Sequence, residues 1–327
     1  MHGWPTVSVI VPVRNEAPHL ERAVASILAQ EYPLPFDVCL AVATSDDGTE
    51  TLAERLAAAE DRVSVVPNPA GVTPAGLNAA IRATTGSIIV RVDGHAELSP
   101  GYVRRAVATM CRTGAVNVGG RQVPKPETAF EEAVAAATTS WMGTGGATYR
   151  VGGEAGAVDT VYLGVFDRAA GEAVGWFDEA LIRNQDYELN IRLRKAGGTV
   201  WFDPQLWVGY RPRGSWKALA KQYYEYGWWK AEVVRRHPES LRLRQLIPLV
   251  ATVATTCSLA GSTVRPRLIA VPAIYGSILL AGSGVRVRTA ALLATMHLAW
   301  GSGFCASLGP RDGADHSTRV STNRSVA

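Results

Sequence analysis

The amino-acid sequence predicts an α/β fold in which a mostly parallel sheet is flanked by helices and followed by hydrophobic C-terminal helices. Apolar, β-branched runs alternate with segments of helical spacing along the N-terminal two thirds of the 327 residues, which is typical of βαβ units. The run at residues 88–92 ends abruptly in Asp93, Gly94 and His95, as a buried strand of a parallel sheet does. Three later stretches of about 20 apolar residues predict the C-terminal helices.

The predicted elements follow one another in a regular order. Strands are expected at residues 7–13, 36–42, 63–66, 88–92, 115–120, 158–166 and 200–202. Helices are expected at residues 17–30, 50–59, 75–84, 102–111, 128–139 and 187–195, and a glycine-rich loop at 141–156. The turn after the first strand holds no G-x-G-x-x-G pattern, which argues against a dinucleotide-dependent hydride transfer.

The same features divide the chain into four parts. Residues 1–214 are expected to form a catalytic domain, 215–240 an amphipathic helix, 241–309 membrane-embedded helices and 310–327 a disordered tail. The interleaved aromatic and basic residues of the amphipathic helix favour a position in a membrane interface; packing on the catalytic domain is the alternative. The apolar stretches are 246–264, 268–285 and 290–308. If all three span, the two basic loops between them cannot both obey the positive-inside rule, so one re-entrant or interfacial segment is an alternative.

Composition excludes some functions. The formal net charge is only +4 and the basic residues form no long run, so no nucleic-acid partner is indicated. The four cysteines are far apart, with no C-x-x-C spacing, which argues against a zinc knuckle or a redox pair. Reduced cysteines fit a cytosolic catalytic part.

Two groups of side chains suggest chemistry. Asp93 and His95, two residues apart beyond a buried strand, could hold one face of a divalent cation and leave the rest for a phosphate. The alternative is a helix cap and a surface histidine. Asp186 and Glu188 stand at the start of a predicted helix, where exposed N–H groups keep a carboxylate ionised. Such a carboxylate suits a base that accepts a proton from a sugar hydroxyl; N-capping is the alternative.

An ordered set of motifs resembles the family 2 glycosyltransferases with the GT-A fold, over residues 7–237. The motifs are Pro12-Val13-Arg14-Asn15-Glu16, Asp47-Gly48-Thr49, Asn68-x-x-Gly71, Gly76-Leu77-Asn78, Val92-Asp93-Gly94-His95 and Asn184-Gln185-Asp186-Tyr187-Glu188-Leu189-Asn190. Within that family the chain is most similar to the succinoglycan-biosynthesis glucosyltransferase group, with Asp-Gly-His in place of Asp-x-Asp, Asn117-Val118-Gly119-Gly120 and Val158-Asp159-Thr160-Val161.

The resemblance implies an inverting transfer of a sugar from a nucleotide-diphosphate sugar, and it implies roles for named residues. The donor site would comprise Pro12, Val13, Arg14, Glu16, Gly71, Asn78, Asp93 and Gly94. Asp93 and His95 would hold Mn²⁺ or Mg²⁺, and Asp186 would be the general base. Asp159, Thr160, Gln185, Tyr187 and Glu188 would lie toward the donor sugar or the acceptor.

One departure from the family pattern concerns the nucleotide base. Family members carry an Asp at the end of the second strand, where this chain has Val42 and Ala43. Either Asp46 would substitute from a shifted turn, or backbone groups would contact the nucleotide base. UDP is the expected nucleotide, with a guanine or thymine nucleotide as the alternative.

The expected acceptor is a lipid-linked or growing polysaccharide in exopolysaccharide or cell-envelope synthesis. The expected location is the cell (inner) membrane, with the catalytic domain in the cytoplasm. Residues 222–229 lack the Gln-x-x-Arg-Trp pattern of processive synthases, which favours a single addition. A catalytically impaired membrane scaffold and a polyprenyl-phosphate sugar transferase are the alternatives.

Overall fold

A mixed sheet forms the centre of the molecule in the computed structural model, which describes residues 3–309. Within those residues it has nine strands in the order β3-β2-β1-β4-β8-β6-β9-β5, and β7 pairs with β9. The strands are β1 (Val7–Val13), β2 (Asp37–Val42), β3 (Val63–Pro67), β4 (Ile88–Arg91), β5 (Glu97–Leu98), β6 (Asn117–Pro124), β7 (Gly156–Ala157), β8 (Tyr162–Asp167) and β9 (Val200–Tyr210). The first four are mutually parallel, whereas β8 runs antiparallel to β4 and β6.

The helices flank the sheet and then continue beyond it. They are α1 (Leu20–Leu28), α2 (Thr49–Ala59), α3 (Thr73–Ala83), α4 (Tyr102–Thr113), α5 (Ala129–Thr138), α6 (Trp141–Thr144), α7 (Thr148–Val151), α8 (Arg168–Val174), α9 (Gln185–Lys195), α10 (Trp216–Arg236), α11 (Leu243–Ser262), α12 (Ala270–Gly282) and α13 (Val287–Leu308). The α/β prediction is confirmed, although the sheet is parallel in its N-terminal half and mixed beyond β4.

Both faces of the sheet are buried, as the continuous apolar strands predict. Alternate residues of β1 enter two separate cores, with Val9 in one and Ile10 in the other. The first core is closed by α1, α2 and α4, and the second by α3, α9 and the Trp176–Phe177 pair. Because helices cover both faces, only the edges and the strand ends of the sheet remain for ligands.

The prediction of a loop at residues 141–156 is wrong, because two one-turn helices, α6 and α7, form there. Ser140 caps α6 by accepting a hydrogen bond from the Gly143 amide at 3.0 Å. Gly145 and Gly146, both with positive φ, end the turn. The glycines of this segment disfavour a helix interior, so the sequence predicted a loop. Glycine is also the usual residue just after the end of a helix, which is its place here.

The final strand is much longer than the predicted 200–202. β9 runs to Tyr210 and includes Pro204, although proline in a sheet is usually confined to edge strands, strand starts or bulges. The pairing of β9 with β6 shifts in register between Gly119 and Arg121, and this shift accommodates the proline. A Cβ on Gly120 would overlap the Leu206 carbonyl oxygen, so only glycine permits this close strand pairing.

Helix α10 packs closely against α13. A Cβ on Gly227 would overlap the Trp300 carbonyl oxygen, and a Cβ on Gly303 would overlap the Tyr224 carbonyl oxygen. Small residues at a crossing let two backbones approach in this way. Trp216 of α10 nevertheless stays 43% exposed, so the packing of α10 on α13 is compatible with a position in a membrane interface. The division of the chain at residues 214 and 240 stays a prediction.

Within residues 3–309, α11 and α13 are long and apolar enough to cross a membrane, whereas the middle apolar stretch forms a shorter helical segment at 266–282 that includes α12. Several apolar side chains of α11 and α12 point outward, among them Val250 at 62% exposed and Ile274 at 60%. Two such helices are weak evidence for membrane association. The predicted tail at 310–327 lies outside the described residues.

Candidate active site

A cavity of about 640 Å³ lies at the carboxyl ends of β1 and β4 and extends toward the C-terminal helices. Most of the predicted site residues line it: Pro12, Val13, Arg14, Glu16, Gly71, Asp93, Gly94, His95, Thr160, Gln185, Asp186 and Tyr187. Ligands of open α/β sheets collect at this edge. The predicted metal turn and the predicted base therefore share one cavity.

The loop after β1 is fixed by the turn Asp47-Gly48-Thr49. The Glu16 amide donates to Thr49 Oγ1 at 2.8 Å, and the Ala17 amide donates to Asp47 Oδ2 at 3.0 Å. Burial opposes the charge of Asp47, but hydrogen bonds from Thr49 and Ala17 outweigh it and lower the pKa of Asp47. This turn positions Glu16 toward the cavity.

Glu16 in turn orients His95. Its Oε1 lies 2.7 Å from His95 Nδ1. Burial lowers the pKa of His95, but the bond to Glu16 and the charges of Glu16 and Asp93 outweigh it and raise that pKa. A Cβ on Gly94 would lie 2.9 Å from Val13 Cγ1 and 3.0 Å from Glu16 Cγ. Gly94 therefore lets the two loops meet closely enough for the Glu16–His95 contact.

Arg91 joins the metal turn to the predicted base, and sequence reasoning missed it. Its side chain is only 4% exposed. Nη2 donates to Asp93 Oδ1 at 3.0 Å, and Nη1 forms an ion pair with Asp186 Oδ1. An arginine inside an apolar strand was the available signal, because a buried charge requires partners of opposite sign.

Neither carboxylate caps a helix. The N-cap of α9 is Asn184, in the left-handed conformation, and Asp186 lies inside the first turn. Asp93 is followed by a turn and the two-residue strand β5, and no helix starts there for it to cap. Both side chains instead meet at Arg91.

The donor atoms at the turn fit a divalent cation only in part. Within residues 3–309 no three His, Cys, Asp or Glu side chains converge on one point. Asp93 and His95 could supply two ligands, and diphosphate oxygens and water the others. The Glu16 carboxylate on His95 Nδ1 matches the support that a metal-binding imidazole receives in proteins, with Nε2 left for the ion. The residues present therefore fit an ion that binds together with a nucleotide.

Comparison with known proteins decides the family. The family model "Glycosyl transferase family 2" matches residues 8–175, just over half of the chain. The chain belongs to glycosyl transferase family 2. "Succinoglycan biosynthesis protein ExoA" of Rhizobium meliloti (strain 1021) is 31% identical over 92% of this chain and 94% of its own length. These findings confirm the resemblance, and the protein is a glycosyltransferase.

Two further comparisons extend the likeness. A Methanococcus voltae protein named dolichyl N-acetyl-alpha-D-glucosaminyl phosphate 3-beta-D-2,3-diacetamido-2,3-dideoxy-beta-D-glucuronosyltransferase is 23% identical over 70% of this chain and 74% of its own. The mannosyltransferase PcManGT of Pyrobaculum calidifontis, solved with GDP-Man and Mn²⁺, has a TM-score of 0.62 at 20% identity, covering 90% of this chain and 86% of that one. The latter supports the GT-A fold.

Four predicted site residues of this glycosyltransferase do not line the cavity. Asp46 is exposed, and its amide donates to Asn15 Oδ1 at 3.2 Å. Asn78 donates to the Phe177 carbonyl oxygen at 2.8 Å and accepts from the Phe177 amide at 3.2 Å. Asp159 forms ion pairs with Arg244 at 3.1 Å and Arg242 at 3.7 Å. Their direct contacts with a ligand stay predictions.

Glu188 is the fourth, and it is 3% exposed. Both of its carboxylate oxygens accept from Arg192 at 2.7 Å, and Oε1 lies 3.0 Å from His237 Nε2. It thereby fastens α9 to the end of α10. The family motif thus contains residues that hold the site as well as residues that face it.

The end of the glycosyltransferase's cavity that lies toward the C-terminal helices was not predicted at all. Its lining includes three cations, Arg150, Lys230 and Arg244, and apolar side chains from α6, α11 and α13. These residues come from helices that are distant in sequence from the β1 and β4 turns, so no local pattern could group them.

Proposed function

We propose that this glycosyltransferase moves a sugar with inversion from a nucleotide-diphosphate sugar to a lipid-linked or growing polysaccharide acceptor in exopolysaccharide or cell-envelope synthesis. The observation that carries the proposal is the single cavity in which the Asp93–His95 turn and Asp186 meet across Arg91. An inverting transfer needs one base and one site for a leaving diphosphate, and both fit that cavity.

The residues would divide the reaction between them. Asp186 accepts the proton of an acceptor hydroxyl, whose oxygen then bonds to the anomeric carbon of the donor sugar. The bond from that carbon to the diphosphate oxygen breaks, and the nucleoside diphosphate leaves with the electron pair. A single displacement inverts the anomeric centre, in parallel with hydrolytic inversion. General-base catalysis of this kind contributes about 10²–10⁴-fold.

The leaving diphosphate carries charge that the site must neutralise. Asp93 and His95 would hold Mn²⁺ or Mg²⁺ together with the diphosphate, and the ion would supply positive charge to the leaving group. Glu16 holds the His95 ring in place, and Arg91 offsets the mutual repulsion of Asp93 and Asp186. We infer that Arg91 also sets the distance between the base and the donor.

The proposed acceptor rests on relatives and on the apolar helices. The named relatives include a succinoglycan biosynthesis protein and a transferase named for a dolichyl-linked glycan phosphate. Helices α11 and α13 would place the cavity near lipid, and we propose the inner membrane with the catalytic domain in the cytoplasm. UDP remains the proposed nucleotide, although Asp46 lies outside the cavity.

A donor panel tests this function. Membranes containing the full-length chain are incubated with radiolabelled UDP-, GDP- and dTDP-sugars and a lipid extract, and the lipid products are analysed by mass spectrometry and by the configuration of the new linkage. We expect transfer from one nucleotide class with inversion, and loss of transfer in Asp186→Asn but not in the matched control Asp178→Asn. Asp178 pairs with Arg236 and does not line the cavity.

Each outcome of the panel is informative. Retention of the donor's anomeric configuration, or full activity of Asp186→Asn, would refute the mechanism. Absence of transfer with every donor would favour the scaffold alternative. A product with one sugar on a bare polyprenyl phosphate would favour the polyprenyl-phosphate sugar transferase.

A further inference from the structure

Three cations line the part of the cavity toward the C-terminal helices, and among residues 3–309 they have fewer carboxylate partners than Arg91 has. Arg150, Lys230 and Arg244 all line the cavity, and we call them the cation cluster. Arg244 forms an ion pair with Asp159 at 3.1 Å, but Asp159 also forms an ion pair with Arg242 at 3.7 Å. The cavity carboxylates at the other end are already engaged, with Glu16 on His95 and with Asp93 and Asp186 on Arg91.

Arg150 is surrounded by phenols. Its Nη1 donates to Tyr210 Oη at 3.1 Å, and its guanidinium carbon lies 5.7 Å from the Tyr149 ring centre and 5.6 Å from that of Tyr210. Cation–π contacts orient a guanidinium but do not cancel its charge. Tyr162 lines the same cavity as Arg150, Arg91 and Asp93.

Lys230 is 3% exposed and also has mainly neutral partners. Its ammonium donates to the Ser240 carbonyl oxygen at 2.9 Å and lies 4.0 Å from the Tyr187 ring centre. Burial lowers the pKa of Lys230 to about 7, with Asp159 opposing the shift and Arg242 and Arg244 adding to it. A buried amine with neighbouring cations is stabilised in its charged form by an anion.

An apolar wall adjoins the cation cluster. Trp141 and Met142 of α6, Ile247 and Pro248 of α11, and Met296 and Trp300 of α13 line the same cavity. Trp141 is 63% exposed and Ile247 47% exposed. Residues that line a cavity and are also exposed mark its mouth, so the cavity reaches the surface beside the apolar helix α11.

Arginine and lysine are the usual ligands of phosphate groups, and a hydrocarbon chain needs an apolar path. We propose that the cation cluster binds the phosphate or diphosphate of a lipid-linked acceptor, whose hydrocarbon chain leaves the cavity between Trp141 and Ile247. The acceptor's sugar hydroxyl then faces Asp186. This inference rests on the proposed function and adds the way in which the acceptor is held.

Farnesyl diphosphate is a suitable probe, because it combines a diphosphate with a short isoprenyl chain. Its binding to the detergent-solubilised full-length chain is followed by tryptophan fluorescence, since Trp141 and Trp300 line the cavity. No metal and no sugar donor are added. We expect Arg150→Gln, Lys230→Gln and Arg244→Gln each to weaken binding by roughly ten- to hundredfold, the usual effect of losing a hydrogen bond to a charged group.

The matched control is Lys217→Gln, because Lys217 is an exposed cation on the same helix as Lys230. It should bind the probe within twofold of the unchanged protein. Farnesol and inorganic pyrophosphate should each bind more weakly than farnesyl diphosphate, since each lacks one half of the proposed site. UDP with Mn²⁺ should not displace the probe.

Three results would overturn the proposal. Displacement by UDP and Mn²⁺ would assign the cation cluster to the donor's diphosphate. Equal binding of inorganic pyrophosphate and farnesyl diphosphate would show that the hydrocarbon chain contributes nothing to binding. Equal weakening in Lys217→Gln would indicate nonspecific charge attraction. If instead binding behaves as expected and the donor panel shows no transfer, the proposed function fails while the lipid-phosphate site stands.

Discussion

Replacing Arg91 by methionine should destabilise the protein, because it removes a cation that pairs with both Asp93 and Asp186. Methionine is unbranched and flexible enough to fill the space. Arg91 is 4% exposed, whereas the side chains of Asp93 and Asp186 are 21% and 27% exposed. Removing one partner of a buried ion pair costs about 3–5 kcal/mol. Since both carboxylates retain contact with solvent, we expect the lower end, about 3 kcal/mol.

Thermal unfolding of the detergent-solubilised full-length protein measures this effect. A loss of about 3 kcal/mol lowers Tm by roughly 6–12 °C in a domain of this size. Arg55→Met is the matched control, because Arg55 is 68% exposed and its Glu21 partner lies 3.9 Å away. Exposed pairs of this kind contribute little, so its Tm should change by less than about 2 °C.

A double substitution separates charge from packing. Asp186→Asn in the Arg91→Met background removes one of the two unbalanced carboxylates and should recover part of the lost stability. If Arg91→Met leaves Tm unchanged, or if the double variant is less stable than Arg91→Met alone, Arg91 does not hold the two carboxylates in the way described.

Three further predictions follow from single residues. Gly94→Ala should push Glu16 away from His95 and weaken Mn²⁺-dependent UDP binding by about 10–100-fold, which calorimetry measures; unchanged binding would contradict the role of Gly94. Gly227→Ala should force α10 away from Trp300 and lower Tm by several degrees, and an unchanged Tm would show that the crossing is loose. The pKa of Lys230 is about 7, and its charged form binds the anion. The affinity for farnesyl diphosphate should therefore fall between pH 7 and 9 in the unchanged protein and fall less in Lys230→Arg. Parallel pH profiles of the two proteins would contradict the role of Lys230.

The sheet and the position of the Asp93–His95 turn at its edge could be predicted from the sequence because each rests on a local pattern. The apolar run before Asp93 predicts a buried strand, and a ligand site follows from where such strands end. Asp186 could be proposed because it stands at a helix start. The meeting of these two residues in one cavity could be expected only through the family resemblance.

The remaining features of the site could not be predicted because they depend on contacts between segments that are distant in sequence. Arg91 stands in a strand whose pattern is otherwise apolar, and its two partners become visible only when β4 and α9 come together. The cation cluster draws on α7, α10 and α11, and no spacing in the sequence relates them. Asn78 and Glu188 lie in family motifs, yet their side chains contact other protein residues, and a motif cannot distinguish such positioning contacts from ligand contacts.

We propose that different residues of one cavity bind the donor, at the Asp93–His95 turn, and remove the proton of the acceptor hydroxyl, at Asp186. The most direct measurement compares single-turnover sugar transfer and Mn²⁺-dependent nucleotide binding on the same preparation of Asp186→Asn. We predict nucleotide affinity within threefold of the unchanged protein and transfer slower by about 10²–10⁴-fold. Transfer at the unchanged rate, or loss of nucleotide binding in step with transfer, would contradict the account.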